Sequence, residues 1–285
     1  MATRTAKPRS AEKHERAPKR ARGSANGAAP VYQLARGANP YLEYHARSMA
    51  TLPADVGRLF DPALDDERRD ELDAAVCAVL TEDVIEQYAW AVPDERALRA
   101  IAHFGPILEI GGGSGYWAAC LRDRGVDVLV ADLHTGGGGR RAVRAWTEVV
   151  RAGPALCKQH ASRSLLLVYP DDFERSAESV ALSSLESYAG TTVIHVGELF
   201  GGARLMEHAW GRSTGADFQV RLAELYAKVL ELPLPSWPYS RDALTVWRRK
   251  GACITDGGVF GFVPPGEELR PAIACASLSH LLGTP

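Results

Sequence analysis

The chain has 285 residues, 46% of them hydrophobic and 24% charged, an ordinary globular composition long enough to bury a full core. Its net charge of −2 predicts no general attraction to nucleic acid, but that average conceals a split. Residues 1–30 carry eight basic side chains against Glu12 and Glu15, which leaves an acidic remainder with 25 basic and 33 acidic residues. Five scattered cysteines (Cys77, Cys120, Cys157, Cys253, Cys275) without a Cys-x-x-Cys pair argue against a disulfide framework and against a zinc site. No apolar run reaches the ~18 residues needed to cross a bilayer, and the N-terminus lacks the apolar core of a secretory signal. The expectation is a soluble cytoplasmic protein with no membrane partner and no metal. Nothing in the sequence sets its oligomeric state.

In chain order, residues 1–30 read as a disordered basic tail, too poor in apolar side chains to offset the entropy of ordering. Lys7-Pro8-Arg9 and Lys19-Arg20-Ala21-Arg22 make it the one place suited to nucleic acid, with a plain solvated tail as the simpler reading. Residues 31–97 read as a helical cap or lid. Asn39-Pro40-Tyr41-Leu42-Glu43-Tyr44-His45 either closes over a ligand or staples the arm to the rest. The spacing of Leu72, Ala75, Val76, Val79, Leu80, Val84 and Ile85 predicts one helix from Asp65 to Tyr88. A further helix begins at Asp94.

From residue 98 to 264 strands and helices alternate, the pattern of a mostly parallel sheet with helices on both faces. The expected strands are Ile107–Ile110, Val126–Ala131, Thr147–Val150, Ser164–Tyr169 and Thr191–Val196. Ser114–Arg124, Ala177–Tyr188 and Gln219–Leu230 are expected as helices. Ala243–Arg248 and Val259–Val263 are expected as a closing antiparallel pair. Residues 265–285 are left as a C-terminal extension. His195, inside an apolar strand, reads as core, as do Trp210, Trp237 and Trp247.

The chemistry concentrates at Glu109-Ile110-Gly111-Gly112-Gly113-Ser114-Gly115. A strand turning sharply into a helix needs residues that tolerate positive φ and leave room for a ligand against the backbone. Dinucleotide-binding loops prefer G-x-G-x-x-G, whereas Gly111, Gly113 and Gly115 follow G-x-G-x-G with an acid two positions ahead. Asp132 then ends the second strand, where a carboxylate suits ribose hydroxyls.

This block resembles the first motif of class I S-adenosylmethionine-dependent methyltransferases, and Asp132 matches the acid after their second strand. The resemblance implies a Rossmann-like α/β methyltransferase fold with a mostly parallel seven-stranded sheet and S-adenosylmethionine as cofactor. Gly111, Gly113 and Gly115 would line its methionine end, Glu109 would position the loop and cofactor, and Asp132 would bind the ribose. A poorly characterised subgroup of methyltransferase-like proteins is similar also at Tyr169-Pro170-Asp171-Asp172, Val196-Gly197-Glu198, Pro235-Ser236-Trp237-Pro238 and Trp247-Arg248-Arg249-Lys250. The resemblance leaves the methyl acceptor, an O or N nucleophile, unidentified.

Ligands of open α/β sheets sit beyond the carboxyl ends of the strands, which puts Tyr169-Pro170-Asp171-Asp172 on the acceptor side. Asp171 or Asp172 is the expected proton acceptor, Tyr169 the packing wall and Glu198 the far wall. With equal weight, the two aspartates cap the following helix. The lone proline after Tyr169 departs from the acid-Pro-Pro-aromatic pattern of amino methyltransferases and speaks against adenine or cytosine as acceptor. The rival readings are an NAD-dependent oxidoreductase on the same sheet and a non-catalytic nucleoside-binding protein.

Overall fold

The computed structural model describes residues 32–134, 145–171, 178–202, 210–251 and 273–282. The basic tail, Asp172 and the expected strand Val259–Val263 lie outside the described residues.

The sheet is built around β1 (Ile107–Ile110), whose four residues are all buried. Burial on both faces is what a continuous apolar run demands of a central parallel strand. Parallel neighbours flank it, β2 (Val128–Asp132) on one side and β4 (Ser164–Val168) on the other. The two-residue β3 (Val150–Arg151) extends the β2 side, and β5 (Thr192–Gly197) extends the β4 side. Beyond β5 lies β7 (Ala243–Arg249), antiparallel to it, then β6 (Tyr226–Pro233) and the two-residue β8 (Ile273–Ala274). Among the described residues the spatial order is therefore 3-2-1-4-5-7-6-8, the expected number of seven with an eighth short strand on the edge, although β6 begins in a segment expected as helix. The chain leaves β1 in one direction and returns at β4 to continue in the other, so a crevice opens beyond the ends of these two strands.

Side chains alternate across this sheet. Leu108, Ile110, Leu165, Leu167 and Val193 face α6 (Val180–Ser187) and α7 (Ala216–Leu225), which contribute Ala181, Leu185, Phe218 and Leu222. Ile107, Val128, Val130, Leu166 and Ile194 face the opposite way, toward α4 (Glu95–His103) and α5 (Tyr116–Asp123). Glu109 shares that second face, a carboxyl among apolar neighbours. Tyr41 of α1 (Pro40–Thr51) and Trp237 join the same core, so the helical region before residue 98 shares a core with the sheet.

Tyr41 is fully buried and staples the arm. Its ring stacks on Tyr88 at 4.7 Å with planes 2° apart, and its backbone N–H donates to the Tyr116 hydroxyl at 3.0 Å. That hydroxyl donates in turn to Asn39 Oδ1, the side chain that caps α1. His45 sits edge-on to Trp237, buried with it. The stapling reading of this segment holds, and the closing of Tyr41 over a ligand does not.

Three elements depart from their expected form, and the first is β3, which is Val150–Arg151 rather than Thr147–Val150. The single helix over 65–88 is two, α2 (Asp66–Val79) and α3 (Glu82–Gln87), because the Thr81 side chain caps a new start by accepting from Val84 N–H. The helix expected to run to Leu230 ends at Leu225, and the chain passes straight into β6. Ala, Lys, Leu and Glu in 226–233 favour helix locally, but pairing with β7 buries Tyr226, Leu230 and Leu232 and overrides that preference. Among the described residues the antiparallel partners of β7 are β5 and β6. His195 and Trp237 are core, as expected; Trp210 and Trp247 are only partly buried.

Among the described residues Cys77, Cys120, Cys157 and Cys275 are free thiols, and no helix is long and apolar enough to cross a membrane.

The Tyr41 hydroxyl accepts from Trp237 Nε1–H at 3.2 Å in a buried setting. Tyr41→Phe keeps the stack and leaves that indole donor unsatisfied, so the expected loss is about 1–3 kcal/mol. Urea unfolding should show a lower midpoint at an unchanged slope.

Candidate active site

A cavity of about 390 Å³ occupies the crevice beyond β1 and β4. Its size falls within the usual range for small-molecule sites, roughly 300–1,000 Å³. The floor is the turn from β1 into α5. Gly111 and Gly113 have φ of 77° and 53°, the left-handed region that side chains disfavour. Gly112 carries the tightest constraint, since a Cβ there would stand 2.2 Å from Val130 Cγ2 on the neighbouring strand. Around Gly113 no atom lies within 4 Å of the position a Cβ would take, so the backbone faces open space. Gly115 begins α5 with φ of 74°; its neighbours are Thr147 and Val149, and it is not among the cavity-lining residues.

Asp132 ends β2 beside this turn. Its Oδ2 accepts from Gly113 N–H at 2.9 Å and its Oδ1 from His134 N–H at 2.7 Å. Each oxygen retains accepting capacity for a further donor such as a hydroxyl.

Glu109 lies under the turn, 1% exposed, and its Oε2 has no hydrogen-bond partner. Burial pushes its carboxyl up to about 8; Asp132 adds to the shift, while Arg122 and the Ala118 N–H pull the other way without offsetting it.

The roof comes from residues 85–90, at the end of α3 and just beyond it. Side chains from elsewhere hold this segment by its main-chain carbonyls. Trp146 Nε1–H donates to Gln87 O (2.6 Å), Ser114 Oγ–H to Tyr88 O (2.8 Å), Tyr41 O–H to Trp90 O (3.4 Å) and Trp117 Nε1–H to Ala91 O (3.2 Å). Trp90 itself is 46% exposed and nearly parallel to Tyr169, with ring centroids 6.0 Å apart.

Tyr169 and Pro170 form the wall after β4. Tyr169 sits at φ 43°, unusual for a residue with a bulky side chain. Both ends of it are fixed: its N–H donates to Val196 O, and its O–H donates to Asp242 Oδ1 at 2.5 Å. Burial and the nearby Asp242 and Glu198 hold the phenol well above its usual pKa. Burial, with Glu198 adding to it, raises the Asp242 carboxyl to about 7.

The structure brings Glu109, Gly111, Gly113, Asp132 and Tyr169 of the expected site to one cavity. Asp171 is not among the lining residues. Its Oδ1 accepts from Val180 and Ala181 N–H and its Oδ2 from Ser179 O–H, so this carboxylate holds the start of α6. The helix-capping reading of Asp171 is the one the geometry carries. Glu198 is also off the lining; it is buried, and its Oε1 accepts from Arg241 N–H. Sequence reasoning missed the roof, Gly112 and Asp242. For Gly112 the three consecutive glycines were a signal; for Asp242 there was none.

His195 is fully buried, and desolvation lowers its pKa to about 3, so the imidazole is neutral. Ser213 Oγ donates to Glu198 O, which leaves His195 Nε2 to donate to Ser213 and its Nδ1 without a partner. Among the described residues no group of three His, Cys, Asp or Glu is placed to hold a metal ion.

No family model and no curated protein matches the chain. Among solved structures it is similar to the N-methyltransferase NodS of Bradyrhizobium japonicum WM9 in complex with S-adenosyl-L-homocysteine, at 15% identity over 75% of this chain and 100% of that one, with a TM-score of 0.38. It is similar also to the 1,6-didemethyltoxoflavin-N1-methyltransferase of Burkholderia thailandensis, at 16% identity over 81% and 98%, TM-score 0.38. A third is the dimethyltransferase RosA of Streptomyces davawensis, at 13% identity over 74% and 69%, TM-score 0.32. At such identities, with TM-scores below 0.5, the likeness decides nothing about chemistry; the cavity has to.

Two measurements check this geometry. Gly112→Ala forces a Cβ into Val130 and is expected to cost about 1–3 kcal/mol. Gly113→Ala meets no atom and costs only the ~1 kcal/mol of a left-handed alanine, so chemical denaturation should rank Gly112→Ala as the more damaging. The second concerns pH. Glu109 is protonated in the folded protein and ionised in the unfolded chain between about pH 4.5 and 8. Stability therefore falls as pH rises through that window, by up to ~1.4 kcal/mol per unit for one proton. Asp242 adds a slope of the same sign between about pH 3.8 and 7. His195, held neutral with its pKa lowered to about 3, adds a slope of opposite sign between about pH 3 and 6.5 in parent and variant alike. Glu109→Gln should therefore differ from the parent only by losing the Glu109 slope. Equal losses in variant and parent between pH 5.5 and 8 would mean that Glu109 is already ionised in the fold.

Proposed function

We propose that this chain is an S-adenosylmethionine-dependent methyltransferase acting on an O or N nucleophile. The observation that carries the reading is the coupling of the glycine turn to Asp132, through the Gly113 N–H bond, at the switch point of the sheet. The open backbone at Gly113 fits a ligand lying across the turn, and Asp132 fits ribose hydroxyls. The buried Glu109 carboxyl beneath the same turn, its Oε2 without a partner, suits a ligand bearing positive charge, which favours its ionised form. A dinucleotide-binding sheet runs 3-2-1-4-5-6, whereas here an antiparallel strand separates the fifth from the sixth, which weighs against the NAD reading.

When bound, the cofactor supplies an electrophilic methyl group on a sulfonium. The contribution of the protein is to align an acceptor with that methyl, since in-line positioning accounts for much of the rate of such a transfer. Gly111, Gly112 and Gly113 present a backbone floor, Asp132 fixes the sugar end, and Tyr169 and Pro170 wall the acceptor side. The Tyr169 O–H is engaged by Asp242 and stays a neutral phenol, so it orients the acceptor and takes no proton. Asp171, with three donors on its two oxygens, keeps α6 in place. The acceptor is a small molecule on this reading, and the unpaired thiols suit a cytoplasmic enzyme.

Calorimetric titration tests the assignment. S-adenosylmethionine and S-adenosylhomocysteine are expected to bind in the micromolar range, about −8 kcal/mol. Asp132→Ala should weaken both about 10–100-fold, the worth of hydrogen bonds to a charged group. Binding of NAD in their place would overturn the proposal.

A further inference from the structure

Trp90 is unusual among the aromatic residues here. Its neighbours Ala91 and Val92 are fully buried, its own carbonyl is held by Tyr41, and yet its indole is nearly half exposed at the cavity. On the cavity wall, so large an exposed ring offers a face that a bound ligand can cover. Opposite stands Tyr169, pinned through its hydroxyl by Asp242 and by its backbone N–H on Val196 O. The two rings lie 24° from parallel, and both line the cavity.

Tyr88, a third ring on the lining, has its faces committed. Tyr41 stacks on it at 4.7 Å and Trp146 at 5.5 Å, with Tyr116 edge-on at 5.1 Å. It therefore contributes an edge and no face. A cage for an alkylammonium group needs several ring faces turned inward around one point. Near-parallel rings offer instead a flat surface, which matches a planar partner.

Resting on the methyltransferase reading, we propose that the methyl acceptor is a planar aromatic or heteroaromatic hydroxyl or amine compound that stacks on the Trp90 indole beside Tyr169. Trp90 is then the residue that selects for planarity, and Asp242 is a positioning residue that holds the Tyr169 ring in register with it. The Tyr169 ring, pinned through its hydroxyl and its backbone N–H, loses little entropy on binding.

The test uses the full chain saturated with S-adenosylhomocysteine and titrated calorimetrically with three probes: 2-naphthol, its saturated counterpart decahydro-2-naphthol, and tetramethylammonium. 2-Naphthol is expected to bind about tenfold or more tightly than decahydro-2-naphthol. Trp90→Ala should abolish that preference, and Trp90→Phe, which keeps a smaller ring, should restore part of it. Equal affinity for the two bicyclic alcohols, a preference that survives Trp90→Ala, or tightest binding of tetramethylammonium would each overturn the proposal. Failure of S-adenosylhomocysteine itself to bind overturns the methyltransferase reading and this inference with it. S-adenosylhomocysteine binding without a planar preference overturns the acceptor class alone.

Discussion

At Gly112 the backbone leaving β1 passes so close to β2 that any side chain would overlap Val130, with a Cβ 2.2 Å from its nearest methyl. The rest of the cavity depends on this contact. With the turn drawn down onto β2, the Gly113 N–H reaches the Asp132 carboxylate, α5 starts immediately afterward, and Glu109 is sealed beneath. A wider turn would move the start of α5 and with it Ser114 and Trp117, the side chains that hold the roof. Close approach of backbone to backbone, permitted by the missing Cβ, thus fixes floor and roof together.

Burial of Glu109 is the electrostatic cost of that arrangement. A carboxyl among apolar neighbours with one oxygen unpaired is held in its neutral form, and it is retained at the foot of the cavity. Asp242 shows the same pattern behind Tyr169, where desolvation and the proximity of Glu198 raise it while Tyr169 and Ser240 donate to it. The cavity therefore has two buried carboxyls whose proton affinity is raised, Glu109 beneath its floor and Asp242 behind Tyr169, a pattern found at functional sites.

The parallel half of the sheet was legible because its signals are local. Ile107–Ile110 and Ser164–Val168 are short apolar runs closed by turn residues, and the glycines with Asp132 mark the switch point. The antiparallel half was not, because 226–233 is written in helix-forming residues and becomes a strand only through its contacts with β7. Among site residues, those that act through backbone shape or strand position could be read: Glu109, Gly111, Gly113 and Asp132. Gly115 carries the same signature but serves the start of α5 and its contacts with Thr147 and Val149. Asp171 is the instructive case, since an acid after a central strand looks the same in sequence whether it faces a ligand or a helix start, and only its three donors separate the two. Trp90 reaches the cavity, and Asp242 reaches Tyr169 behind it, only through tertiary packing, and neither leaves a trace in local spacing.

The attachment of the roof has a consequence for its side chains. Gln87, Tyr88, Trp90 and Ala91 are tethered through carbonyl oxygens, by donors that belong to Trp146, Ser114, Tyr41 and Trp117. A carbonyl is common to every amino acid, so this tethering is indifferent to what side chain the roof carries at an exposed position such as 90. Substitution there redraws the surface offered to an incoming molecule while the anchoring residues and the glycine floor stay as they are. The fold thereby separates the part of the cavity wall whose side chain can change from the backbone-tethered part that keeps its shape.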